Sequence, residues 1–486
     1  MKRFDTKARS DGLLMNRIKN RRINRIVGMA SIIIGLFVFF NTPHDSGYEL
    51  YFVLPLVWGC LLILKPILNF IDVTCIGSFV LAYTMFIKYS ISPLISCIGK
   101  YTSWLGTAPG RDNLQKAVLL TIYEMLVLYF VCYICNRKYK AKSFKIENNI
   151  AEINDNWGHV SLVIIGAASF VLVPSAFADY RFIFDNTNLS ENIFITAAGA
   201  GVFKTFFIVG RYSLVILLIN SFYKRYKKTP SALYVILSFL VVLLNCIYVQ
   251  NLSRINILIP LMIGLAICTQ FFPRKSDRKS ILFLAGTIGV TFLVVLSYLK
   301  FFGEGRGDAS NMNSIEWWGD TLNMYFTGIK ETAIGYKALP YIESVFGWNR
   351  FPLFINDFFS NISLLSNLSN IGKCSVVLYN RIYFGANYTG QIPPNSIEGV
   401  YYFGSVLAPI LPAIFVALAY KFSYLSKLKA RIDEKFIYLY AAIWSGLVLM
   451  INYNMIVANI VNISLFYLVF VMINKHVKFR SYGGPK

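Results

Sequence analysis

The chain has 486 residues, of which 56% are hydrophobic and 15% charged, and it carries a formal net charge of +23. Its mean hydropathy is +0.55. Soluble domains carry about 25% charged residues, so this composition excludes an ordinary soluble protein and points to the bilayer.

A basic tail, residues 1–24, comes first. Twelve apolar runs follow, at about 25–41, 50–65, 73–96, 115–135, 158–178, 200–222, 230–249, 255–272, 280–300, 397–420, 436–452 and 455–473. Roughly 20 apolar residues cross a bilayer as a helix. Lipid cannot hydrogen-bond a backbone, so long unbroken runs of this kind are predicted to be helices. The predicted fold is therefore all-α: a polytopic integral membrane protein with about twelve transmembrane helices. Nine lie in 25–300 and three in 397–473, followed by a tail, 474–486. Residues 301–396 form a large loop between helices 9 and 10. The first run has a long basic tail before it and no small-residue cleavage site behind it, so it reads as a retained span.

Lys and Arg fix the expected orientation, because cytoplasmic gaps carry their excess. Of 47 such residues, 32 fall in the N-terminal tail (with Arg25) or in alternate gaps: Lys65, Arg137–Lys145, Lys224–Lys228, Arg274–Lys279, Lys421–Lys435 and Lys475–Lys486. Read from span to span, the same inner gaps hold nine of the 24 acids, Asp5, Asp11, Asp72, Glu147, Glu152, Asp155, Asp277, Asp433 and Glu434, so the remainder of the chain is neutral. Both termini are then cytoplasmic and the 301–396 loop extracytoplasmic. The positive charge is a topology signal that can touch anionic lipid; it is not a nucleic-acid footprint.

Candidate chemistry appears in chain order. Asp45 and Glu49 are the only acids of the first outer loop. Eight cysteines include Cys132 and Cys135 at redox spacing in an apolar run, where packing is the simpler reading, and Cys97 with Cys374, which could pair on the outer side. The three histidines, His44, His159 and His476, are far apart, so neither a metal cluster nor a histidine-based triad is expected. No Walker motif is present, which argues against ATP-driven transport. Arg211 lies near the middle of a span, where an arginine costs ~2.5–3.5 kcal/mol and faces a cavity or a partner. Its two readings are an ion pair with Glu124 and a cationic pocket. Arg254 heads the eighth span, and Lys204 lies nearer the outer surface. Arginine suits phosphate because its planar fork donates two parallel hydrogen bonds.

The long loop begins with Glu304, Arg306 and Asp308. From Ser314 to Leu339, Trp318, Leu322, Tyr325, Ile329, Ala333 and Tyr336 recur at helical spacing. Glu316, Asp320, Asn323, Lys330 and Glu331 fall mostly elsewhere. This predicts an amphipathic helix, packed on its own domain or lying in the membrane interface. Phe351–Leu368 suggests another short helix. Arg350 and Arg381 follow. The loop ends at Pro393 and Pro394, with Ser396 a potential cap for a helix starting near Ile397. Glu398 is then either a first-turn capping acid or a catalytic acid at the mouth of a cavity.

Many spans, arginines at an outward cavity and one large late outer loop resemble the Wzy-type polymerases of bacterial O-antigen and capsular polysaccharide. The stretch Ile392 to Gly404 is similar to that family's Pro-Ser-x-x-Gly-x-x-Tyr-x-x-x-Gly sequence, departing from it by Asn395 between Pro394 and Ser396. Ser253-Arg254 before an apolar helix is similar to the family's Ser-Arg sequence. The resemblance implies a glycosyltransferase of the cytoplasmic membrane with no cofactor and no metal. It would polymerise undecaprenyl-pyrophosphate-linked oligosaccharide on the outer face, alongside a flippase and a chain-length regulator. Arg211, Arg254, Arg306 and Arg381 would stabilise the leaving pyrophosphate. Glu398, Glu304 or Asp308 would assist deprotonation of the acceptor. The related O-antigen ligases generally use a histidine in this loop, and residues 301–396 contain none. A flippase or small-solute transporter should show two similar halves, which the sequence lacks.

Overall fold

The computed structural model describes residues 2–101, 107–143, 153, 157–182, 200–250, 254–272, 274, 281, 315–360, 362–385 and 390–476. Within them the chain is helical apart from one antiparallel two-stranded ribbon, which pairs Tyr180–Phe182 (β1) with Tyr248–Gln250 (β2). Among the described residues, six helical segments are long and apolar enough to cross a membrane: Ile18–Asn41, Val73–Ile98, Arg111–Tyr139, Gly201–Lys228, Ile410–Leu428 and Tyr453–Phe470. Shorter apolar helices occupy Val53–Leu64, Trp157–Leu172, Ala232–Ile247 and Ile255–Phe271. The chain is a helical multi-pass membrane protein.

The chain divides into two compact units. The first comprises residues 1–145, 308–424 and 442–458. It opens with α1 (Lys2–Asn41) packed along α2 (Val53–Leu64). The next crossing segment is composite: α3 (Ile76–Phe86), a π-helical turn (Ile87–Ile91) and α4 (Ser92–Ile98). The wide turn places Lys88 inside the bundle, where it pairs with Glu124 of α5 (Arg111–Ser143) at 2.9 Å, and neither side chain is more than 2% exposed. Tyr89 donates to the same carboxylate at 2.8 Å. An intramembrane charge needs such a partner.

The long loop folds onto this bundle. Helix α10 (Ile315–Tyr325) packs on α4, and α11 (Ile329–Phe346) packs on α5. Helices α12 (Phe351–Ser360), α13 (Ser375–Phe384) and α14 (Asn395–Phe403) complete it, with Ile334 of α11 meeting Tyr379 and Tyr383 of α13 in a buried cluster. The single helix expected over Ser314–Leu339 is two, broken at Phe326–Gly328, where Thr327 adopts φ +45. Ile329 and Ala333 of α11 are buried as the periodicity expects, whereas the burial of α10 is reversed. The buried residues of α10 are Gly319, Asp320, Thr321 and Asn323, whereas Ile315 and Trp318 are exposed.

The apolar run at 397–420 is not one helix. It breaks after Phe403 at Gly404, whose φ of +79 suits glycine, and resumes as α15 (Ile410–Leu428). Ser396 does not cap α14, because the helix begins one residue earlier. Asn395 instead donates from its side chain to the carbonyls of Val448 and Ile451. Helices α16 (Ile432–Gly446) and α17 (Tyr453–His476) are the last described, with Asn452 and Tyr453 at the turn between them.

The second unit comprises residues 146–307, 425–441 and 459–486. Here α6 (Trp157–Leu172), α7 (Ala200–Lys228), α8 (Ala232–Ile247) and α9 (Arg254–Phe271) pack in sequence. The ribbon closes one end over a cluster of Ala176, Phe177, Tyr180, Phe207 and Tyr248. Asp179 at that end accepts from Lys204 and Gln250, each at 2.7 Å.

Candidate functional site

The long loop and the end of a crossing segment enclose a cleft in the first unit. It is a narrow recess, with room for roughly one water molecule, lined by Tyr48, Ser96, Gly99, Tyr101, Glu316, Gly319, Asp320, Asn323 and Lys330. Two glycines permit the approach of its walls. A Cβ on Gly99 would lie 2.9 Å from the Cα of Glu316, and one on Gly319 would lie 3.3 Å from the carbonyl oxygen of Ile95. Helix α10 is thereby brought flush against the end of α4. Asn323 crosses the seam and donates to Ser96 Oγ at 2.9 Å. This explains the reversed burial of α10, since a small, hydroxyl-bearing partner surface takes polar side chains.

The chemistry of the cleft is carboxylate, ammonium and phenol. Lys330 Nζ lies 2.6 Å from Asp320 Oδ1, both side chains nearly enclosed. Tyr48 and Tyr101 stack with ring centroids 4.4 Å apart, and Tyr101 and Thr42 share a hydroxyl–hydroxyl bond at 2.6 Å. Burial pushes the Tyr48 phenol well above its usual range, so it stays neutral. Behind Lys330, Glu331 accepts from Tyr379 at 2.6 Å and Tyr383 at 3.2 Å. Burial pushes Glu331 up to about 7, against the opposing pull of Lys330 and the Tyr379 hydrogen bond. It does not line the cleft, but it supplies a group that exchanges a proton near neutral pH one residue from the Asp320–Lys330 pair.

The residues singled out from sequence lie elsewhere. Glu398 is fully buried and does not line the recess. It accepts from Ser375 Oγ at 3.0 Å, Asn452 Nδ2 at 3.1 Å and the backbone N–H of Tyr453 at 2.8 Å. Asp357 stands beside it, accepting from Ser375 N at 3.0 Å and from the Tyr402 hydroxyl at 2.5 Å. Burial first, then the neighbouring Asp357, pushes Glu398 up to about 8; burial also raises Asp357. Together they tie α12, α13 and α14 to the Asn452–Tyr453 turn. Glu398 does stand in the first turn of its helix, as the capping reading expects, and its carboxyl is engaged by Ser375, Asn452 and Tyr453.

Arg211 serves the end of α8. Its guanidinium donates to Asn245 Oδ1 at 3.1 Å, to the Tyr248 carbonyl at 2.9 Å and to the Asn245 carbonyl, over the Phe207 ring at 5.4 Å. These are carbonyls that a helix end leaves without intrahelical partners. Glu124, offered by the sequence as its partner, pairs with Lys88 instead. Arg381 donates to the Tyr341 hydroxyl at 2.7 Å, and Arg350 bridges Glu343 and the Val400 carbonyl. Asp45 and Glu49 clasp Arg111 at 2.7 and 3.4 Å. Cys97 and Cys374 are free thiols. Glu304, Arg306 and Asp308 lie outside the described residues, as does the side chain of Arg254, which opens α9.

The cleft acids were visible in the sequence only as the polar face of an amphipathic helix. Nothing in that periodicity distinguishes Glu316, Asp320 and Lys330 from the charges of any amphipathic helix. Nothing in a chain this rich in aromatics marked Tyr48 and Tyr101. Compared with known proteins, the chain matches no family model, no curated protein and no solved structure.

Proposed function

We propose that this chain is a glycosyltransferase of the bacterial cytoplasmic membrane that joins polyprenyl-pyrophosphate-linked oligosaccharide repeat units, in keeping with its resemblance to Wzy-type polymerases. The observation that carries the reading is the position of the cleft. One wall is the end of the Val73–Ile98 crossing segment and the other is the start of the long loop. A sugar head group anchored to a lipid tail arrives at that level. The Lys and Arg distribution supports a loop on the outer face with both termini inside.

In this reading the Tyr48–Tyr101 stack offers a flat apolar face to a sugar ring. Asp320 accepts the proton of the acceptor hydroxyl as its oxygen attacks the anomeric carbon. The new carbon–oxygen bond forms as the bond to pyrophosphate breaks, and the electron pair leaves with polyprenyl pyrophosphate. Lys330, which lines the recess, would stabilise that charge, and Arg254, Arg306 or Arg381 would supplement it.

The test is a gel of surface glycan from the native host with the gene deleted, complemented by wild type, by Asp320→Asn or by Lys330→Met. Single repeats delivered to the surface acceptor without a ladder support the reading. So does loss of the ladder in either variant at undiminished protein level. Repeats trapped on lipid at the inner leaflet would mean a flippase, and complete polymer held on lipid would mean a ligase. An unchanged ladder in the deletion strain refutes the reading altogether.

A further inference from the structure

Helix α12 is built with its polar side inward. Its buried stripe is Leu353, Asp357 and Ser360, so two of three inward residues are polar. Asp357 in that stripe holds Ser375 and Tyr402. Phe351 on the same helix is 59% exposed, and Ile355, Phe358 and Phe359 are only half-buried. The apolar exposure extends on both sides. Trp348, just before the helix, is 100% exposed, and Leu364, Leu368 and Ile371 are exposed in the turns after it. From Phe351 to Gly372 the only ionisable side chain is Asp357, and it is buried.

A helix that meets water turns its polar side outward. A contiguous exposed apolar surface marks an interaction site. What covers this one follows from its continuity. Phe351 contacts Phe354 at a ring separation of 6.0 Å, and Phe354 contacts Phe403 at 5.6 Å. Phe403 leads through exposed Val406 and Leu407 to Ile410, the first residue of the Ile410–Leu428 crossing helix. The patch is therefore an extension of a lipid-facing surface. Trp and Phe are favoured residues at the membrane interface, where a horizontal helix buries its apolar side ~5–10 Å into the head-group boundary.

We propose that α12 and the two short turns after it are seated in the bilayer, in the leaflet at the Ile410 end of that crossing helix. Trp348, Phe351, Leu364, Leu368 and Ile371 lie among lipid, and the Asp357–Ser375–Glu398 joint lies on the protected side. A second copy of the chain is disfavoured as the cover, because the run contains no exposed charge to fix a register. The inference does not depend on the glycan reading.

The test uses the full chain in phosphatidylethanolamine–phosphatidylglycerol nanodiscs, with the partly exposed Cys60 and Cys75 replaced by Ser. Nitroxide labels are placed singly at Trp348→Cys, Phe351→Cys and Leu368→Cys. Ile414→Cys on the crossing helix serves as lipid reference and Ser344→Cys as water reference. Power saturation with oxygen and with a nickel chelate reads depth. An oxygen-to-nickel accessibility ratio several-fold above that of Ser344→Cys, and near that of Ile414→Cys, is expected at all three sites. Ratios equal to Ser344→Cys would overturn the proposal. So would dipolar broadening between copies, which means a dimer face, or exclusion of both reagents, which means cover by protein. An unlabelled measurement avoids the cysteine changes: quenching of tryptophan fluorescence by brominated lipid should fall when Trp348 becomes Phe. No change in quenching would likewise overturn the proposal.

Discussion

Glu398 offers the sharpest energetic test. Its carboxyl receives three hydrogen bonds, from Ser375, Asn452 and Tyr453, at zero exposure. The groups facing it are Asp357 from α12, Ser375 from α13, Tyr402 from its own helix, and Asn452 with Tyr453 from the final turn. Burial and Asp357 move Glu398 from its ordinary 4.5 to about 8 in the fold, so at neutral pH it is protonated. An acid whose folded pKa lies above its unfolded pKa favours folding at low pH, and that advantage declines as pH rises from about 4.5 to about 8. The linkage slope is about 1.4 kcal/mol per pH unit, so the decline is on the order of 5 kcal/mol across that window. Glu398→Gln keeps the shape and the acceptor but cannot ionise. Its melting temperature, followed by tryptophan fluorescence in detergent, should fall slightly below wild type at pH 6 and rise above it at pH 9. Glu398→Ala orphans three buried donors at about 1–3 kcal/mol each and should be several degrees less stable at every pH. Asp357, also raised, remains in the Gln variant and leaves a residual slope, which Asp357→Asn should remove. Parallel pH profiles for wild type and Glu398→Gln would refute the assignment.

Four further outcomes are expected. Removing either member of the enclosed Lys88–Glu124 pair should cost about 3–5 kcal/mol and lower the level of folded protein, while Lys88→Met combined with Glu124→Leu recovers most of it in detergent melting. Arg211→Ala should lower protein level and polymer together, because the Asn245 and Tyr248 carbonyls lose their donors; polymer loss at full level would instead support a substrate role. Arg254→Ala should abolish polymer at normal level, and full polymer would remove it from the cationic site. Gly99→Ala pushes on the backbone of Glu316 and should suppress the ladder by parting α4 from α10, checked on the same glycan gel.

Membrane class and helical content were legible because both follow from composition and run length, which no tertiary contact alters. Boundaries were less so. Gly404 ends a helix through its own φ, a local cause masked by the apolar residues on either side. The role of Arg211 was hidden because its partners are main-chain carbonyls that become acceptors only where α8 stops. Lys88 was missed because a π-helical turn, absent from any hydropathy pattern, directs it toward a carboxylate 36 positions away.

The largest misreading was of sidedness, and it has one physical source. The rule that apolar side chains turn inward holds for a helix surrounded by water. Where lipid is the outer medium the inequality reverses, since burying Asp320, Asn323 or Asp357 against hydroxyls and a lysine gives each a partner that hydrocarbon cannot provide. Helices α10 and α12 both follow the reversed rule, with acids inside and Trp318 or Phe351 outside. The periodicity of the loop was therefore real, but its sign depended on the medium. A polar stripe in a membrane-adjacent loop is better read as the place where the protein packs, and hence as the first place to look for its chemistry.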